Sequence, residues 1–84
     1  MKSELLSLKN VGKATLEDFE LLGIKTIDEL AGQDPDELYE RLQKITCSKQ
    51  DPCVWDVFAA TIHEAKTGEK LPWWHFTKIR KSRF

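Results

Sequence analysis

Four sets of residues in this chain of 84 combine types and spacing that could do chemistry. The first is Asn10-Val11-Gly12-Lys13. A turn of this kind puts backbone N–H groups at the start of a helix, where they and the helix dipole attract an anion. Gly12 allows a ligand to approach the backbone closely. Lys13 adds a positive charge, and Asn10 tolerates the left-handed torsions that a tight turn can require. A phosphate, such as that of a nucleic-acid backbone, is an anion that a turn of this kind can take. Two features oppose that use: Ala14 stands where another cation would help, and Glu17, Asp18 and Glu20 follow. Acids near a helix N-terminus favour its dipole but repel a phosphate backbone. The competing reading is that Leu8, Val11, Leu16 and Phe19 are core and the turn is a plain connector.

The second set is Cys47 and Cys53, with His63 and His75 downstream. Four soft ligands in a short chain raise a zinc site, but five residues between the cysteines match no common zinc spacing. A disulfide requires the Cα atoms to lie within about 7 Å. An exposed Cys53 in the first turn of a helix is expected to have a lowered thiol pKa. The expected order is idle thiols, with Cys53 buried as a small hydrophobe, then a redox pair, then zinc. No metal or other cofactor is assigned.

The third set is Trp73-Trp74 with His75 and Phe76. Exposed, these rings would mark a partner surface or stack on unpaired bases. The competing expectation is that one or both tryptophans fold back and close a small core. The fourth set is basic: residues 66–84 hold six lysines and arginines against Glu69, so the remainder is acidic although the net charge is only −1. Lys78, Arg80, Lys81 and Arg83 are candidate auxiliary cations for a polyanion. The plainer reading is a solvated terminus. Nothing here has the spacing of a nucleophile with its base, a catalytic carboxylate pair or a glycine-rich nucleotide loop, so an enzyme is not expected.

The elements that would position these residues are helices. Ser3 is placed to cap a short first helix ending near Ser7. A second helix spans 13–22 and stops at Gly23, where a left-handed residue is needed. Thr26 with Glu29 has the pattern of a capping box opening a helix over 27–31, closed by Gly32. Asp34-Pro35 starts a helix to about residue 45, with Leu38, Leu42 and Ile45 on one stripe. Asp51-Pro52 repeats that start, and the longest helix runs from 52 to about 66. Val54, Val57, Phe58, Thr61, Ile62 and Ala65 form its broad apolar face, which Trp55 widens. Gly68 ends it, and Pro72 breaks the chain before the tail. The expected organisation is one domain over 1–77 and a basic tail over 78–84.

Charged residues make up 32% and hydrophobic residues 40%, which suits a folded domain rather than a disordered one. The first ten residues lack the apolar run of a signal peptide, and no stretch approaches a membrane span. The expected location is the cytoplasm, without a membrane partner and with reduced cysteines.

Two helix pairs surround residues 10–12 and 46–51. This arrangement resembles a tandem helix-hairpin-helix (SAM-like) domain whose second turn, TCSKQD, lacks glycine and is degenerate; a plain five-helix bundle is the alternative. The continuation LLGIKTIDELA carries the resemblance over residues 5–31. The segments DPCVWDVF and LPWWHFT are similar to the small bacterial pathogenicity locus family. The hairpin and connector also resemble the C-terminal domain of competence regulators of the TfoX type. These resemblances imply an all-α domain of five short helices with a C-terminal aromatic and basic tail. By analogy they imply weak, sequence-nonspecific binding of DNA or RNA through Asn10, Val11, Gly12 and Lys13. The alternatives are a protein-interaction or homodimerisation module, and a thiol site at Cys47 and Cys53.

Overall fold

A few residues set where each helix starts and stops. A 3-10 turn at Glu4–Ser7 leads to α1 (Lys13–Leu21), α2 (Ile27–Ala31), α3 (Pro35–Thr46), α4 (Pro52–Thr67) and α5 (Trp73–Arg83). The computed structural model describes residues 4–83, with side chains through Ser82. No strand occurs among the described residues, so the chain is all-α. The expected cap at Ser3 lies outside them.

The local signals act as expected, with some changes. Thr26 Oγ1 accepts the Glu29 N–H at 3.1 Å and Asp51 Oδ1 accepts the Cys53 N–H at 2.9 Å. Asp34 precedes α3 without a side-chain cap bond; Pro35, which has no N–H to satisfy, opens that helix instead. Gly23 and Gly68 both take φ +78°, the left-handed torsion that follows a helix. Cys47 takes φ 53° at the end of α3, a torsion that costs a residue with a Cβ.

The core gathers one face of each element from the 3-10 turn to α3 against α4. Leu5, Leu8, Val11, Phe19, Leu22, Ile24, Leu30, Leu38, Leu42, Phe58 and Ile62 are buried together. Phe19 and Phe58 stack with ring centroids 5.5 Å apart. Ile45 does not extend the Leu38–Leu42 stripe: it is 45% exposed, one residue before α3 ends.

The largest departure from expectation is the tail. Residues 73–83 form α5, packed along α4, so the boundary expected between residues 77 and 78 falls inside a helix. Asp56, Ala60 and His63 sit at i, i+4 and i+7 of α4 and so share a stripe. Asp56 and His63 contact α5 side chains, and the small Ala60 between them lets the helices approach. Burial from two sides explains why Asp56, Ala59, Ala60 and Glu64 of α4 are buried along with its apolar face.

Candidate nucleic-acid interface

The turn before α1 is built by distant side chains. Glu64 Oε1 of α4 accepts the Lys9 N–H at 2.9 Å. Asn10 reaches the start of α5: its Nδ2 donates to the Leu71 carbonyl at 2.7 Å and its Oδ1 accepts the Trp73 N–H at 3.1 Å. Asn10 therefore serves as a bridge and takes no left-handed torsion, contrary to its expected use. Val11 is buried, and its N–H donates to the Leu8 carbonyl at 3.3 Å.

Gly12 ends the turn in an extended conformation, φ −104° and ψ −173°. A Cβ there would meet nothing within 4 Å, so glycine leaves open space in front of α1. The α1 ladder begins with the Leu16 N–H to the Gly12 carbonyl at 2.9 Å, and no side chain caps the helix. The N–H groups of Lys13, Ala14 and Thr15 precede that ladder and so have no acceptor within the helix. Gly12, Lys13 and Ala14 are exposed. Asp18, one turn on, is partly buried; desolvation, then the neighbouring Glu17, pushes its carboxyl pKa upward.

The Asn10 bridge brings Trp73, the first of the aromatic pair, to this turn. Trp73 is 39% and Trp74 59% exposed, so neither closes the core. The indole buried in the fold belongs to Trp55, whose Nε1 donates to Asp36 Oδ1 at 2.7 Å. Trp73 lines a groove of ≈ 230 Å³ together with Ala14, Thr15 and Asp18 of α1 and Val54 and Phe58 of α4.

Helix α5 sorts the tail cations. Trp74, Lys78 and Lys81 lie at i, i+4 and i+7 on one outward stripe, and all three are exposed. Arg80 faces inward: its Nε donates to Asp56 Oδ1 at 2.9 Å, and Thr77 Oγ1 donates to Asp56 Oδ2 at 2.7 Å. Asp56 is fully buried, and its carboxylate holds the Arg80 pKa up. Arg80 is thus a structural residue, while Lys78 and Lys81 are the cations available outside. The Arg83 side chain lies beyond the described ones. Sequence reading missed Asp56, Glu64 and the bridging role of Asn10. One signal was present: Asp56 interrupts an otherwise apolar run, Val54 to Phe58.

Of the two thiols, Cys53 departs from its expected place. Cys47 and Cys53 are both free and exposed, so Cys53 is not a buried hydrophobe. Its thiol pKa is raised rather than lowered, first by its hydrogen bond with the Asp51 carboxylate. The capping acid outweighs the helix dipole. No group of three His, Cys, Asp or Glu side chains placed to hold a metal occurs among the described residues. His63 instead contacts Glu69, with Nε2 and Oε1 2.6 Å apart. No helix among the described residues is long and apolar enough to cross a membrane.

Sequence similarity to known proteins covers nearly the whole chain. A family model described as Cdd1, pathogenicity locus, matches residues 2–82. A protein named mitomycin resistance protein McrB, from Streptomyces lavendulae, is 39% identical over 79 residues, covering 94% of this chain and 75% of that protein. No solved structure matches. The matched span takes in the Asn10–Gly12 turn, the buried Asp56 and all of α5 up to Lys81, and the chain belongs to the Cdd1 pathogenicity locus family.

Proposed function

We propose that this chain is a non-enzymatic binding module that holds nucleic-acid backbone weakly and without sequence preference. The observation that carries this reading is the Asn10 bridge, which sets exposed Trp73 beside the uncapped start of α1. A phosphate is received by the N–H groups of Lys13, Ala14 and Thr15 and neutralised by Lys13. Trp74 offers a stacking face, and Lys78 and Lys81 continue along the same side of α5. Glu17, Asp18 and Glu20 keep the affinity low. The Streptomyces relative is named for mitomycin resistance. Carried to this chain, that name is a role exerted through binding.

Fluorescence anisotropy of a labelled single-stranded oligonucleotide tests the reading. With three lysines engaged, affinity falls about 20-fold between about 50 and 200 mM salt. Lys13→Glu abolishes binding at low salt. Absence of low-salt binding, or binding indifferent to Lys13→Glu, overturns the proposal. The exposed tryptophan pair also favours a second reading, a protein contact or homodimer. Sedimentation at several concentrations separates the two, since a chain that stays monomeric while binding nucleic acid excludes the homodimer.

A further inference from the structure

The larger cavity lies away from the α1 turn, between α3 and α4, with Arg80 of α5 on its lining. Its volume is ≈ 550 Å³, and Asp36, Tyr39, Glu40, Lys49 and Trp55 also line it. Sites for small organic molecules span about 300–1,000 Å³ and combine aromatic walls with a few convergent polar groups. We infer that this cavity is a binding site for a flat aromatic amine carrying one positive charge, held against Tyr39 and Trp55 and read by the Glu40 carboxylate.

The walls are set before a ligand arrives. Trp55 Nε1 donates to Asp36 Oδ1 at 2.7 Å, and Tyr39 Oη donates to the Gln50 carbonyl at 2.6 Å. Each ring is anchored by its polar atom, so little side-chain freedom is lost on binding. Burial raises the Tyr39 phenol pKa, which keeps that wall neutral.

The charges select the ligand. Arg80 is matched by Asp56 behind it, at 2.9 Å. Asp36 already holds the indole of Trp55. Glu40 and Lys49 are exposed and make no ion pair among the described residues. Counting Asp56 with the lining, three acids stand against two bases, so the cavity carries a net negative charge. An organic cation gains from that charge and from the electron-rich ring of half-buried Tyr39, whereas an anion of the same size gains from neither.

The indole N–H resonances of the three tryptophans report on this site. Trp73→Phe and Trp74→Phe assign the two exposed ones. The probes are 4-aminoquinoline, protonated at neutral pH, and quinoline-4-carboxylate, an anion of similar size. The Trp55 resonance moves saturably with the amine and at least about tenfold less readily with the carboxylate. Glu40→Gln, at an exposed position, weakens the amine about tenfold, the size of one charge-assisted hydrogen bond. Lys49→Met leaves amine binding unchanged or stronger. Equal binding of both probes, indifference to Glu40→Gln, or shifts confined to Trp73 and Trp74 would each overturn the inference. None of these results depends on whether the chain binds nucleic acid.

Discussion

The two turns that precede α1 and α4 solve one problem in opposite ways. Both must end one segment and start a helix whose first N–H groups lack partners. The turn before α4 satisfies itself. Gln43 Oε1 accepts the Gln50 N–H at 3.1 Å, Gln50 Nε2 donates to Thr46 Oγ1 at 3.0 Å, and Asp51 caps the Cys53 N–H. The turn before α1 is held from afar, by Glu64 and by the 71–73 segment, and its helix start stays uncapped. Local capping closes the second helix start to an anion. Remote bracing leaves the first open while fixing its shape. The difference separates a helix start that is capped by its own turn from one that no side chain caps.

The most disruptive test of this contrast is Asp56→Ala. It removes the buried acceptor of Arg80 and Thr77, which pins α5 to α4. Removing one member of a buried pair leaves its partner uncompensated, and the expected cost is about 3 kcal/mol, read from urea unfolding. If the two turns are braced as described, hydrogen exchange accelerates at the Trp73 N–H before it does at the Gln50 N–H. Equal acceleration at both sites would erase the distinction.

Asn10→Ala acts on the first turn alone. It deletes two hydrogen bonds whose backbone partners can regain water, so the expected loss is about 1 kcal/mol. The larger consequence is functional: Trp73 loses its fixed place beside α1, and oligonucleotide affinity drops with little change in fold. A stability loss without any change in affinity would make the bridge purely structural.

These ties also mark the limit of what the sequence reveals. Helix starts at Pro35 and Pro52 and stops at Gly23 and Gly68 were legible because each signal acts within about four residues. So was the apolar face of α4. Asn10 was singled out for its tolerance of left-handed torsions, whereas the structure uses it as a bridge: its partners lie 61 and 63 residues away, and no local pattern encodes them. The tail read as solvated because its charges outnumber its apolar groups. Its docking instead depends on Arg80 and Thr77 meeting one buried aspartate, and it leaves Lys78 and Lys81 outside. Trp55 and Trp73 could not be ranked by type, since burial follows from which helix covers which stripe.

Cys47→Gly probes the second turn from the stabilising side. Cys47 holds the left-handed position that closes α3, φ 53°. Glycine adopts it without a Cβ penalty but loses more chain entropy on folding, so the expected net gain is about 0.5–1 kcal/mol, a few degrees in Tm. Cys47→Ala keeps the penalty and brings no gain. An equal gain in both variants would assign the effect to the thiol instead of the backbone.

The smallest effect on stability, and the most direct reading of local capping, comes from Asp51→Asn. The carboxylate of Asp51 accepts the Cys53 N–H, and that bond lowers its own pKa below the ordinary 3.8. A depressed folded-state pKa contributes stability above the unfolded value, lost as pH falls through the folded one. The wild-type turn therefore loosens only below about pH 3.8, and the asparagine variant shows no such loss there. At neutral pH the sign is read on the thiol. Asp51 raises the Cys53 pKa, so thiolate is scarce. Asparagine keeps a capping oxygen and removes the charge. The thiol pKa then falls, and iodoacetamide labels Cys53 faster at pH 8, while Cys47 serves as the internal reference. A labelling rate unchanged in the variant would mean that the helix start, and not its cap, governs Cys53, and that the second turn is less closed to anions than its hydrogen bonds imply.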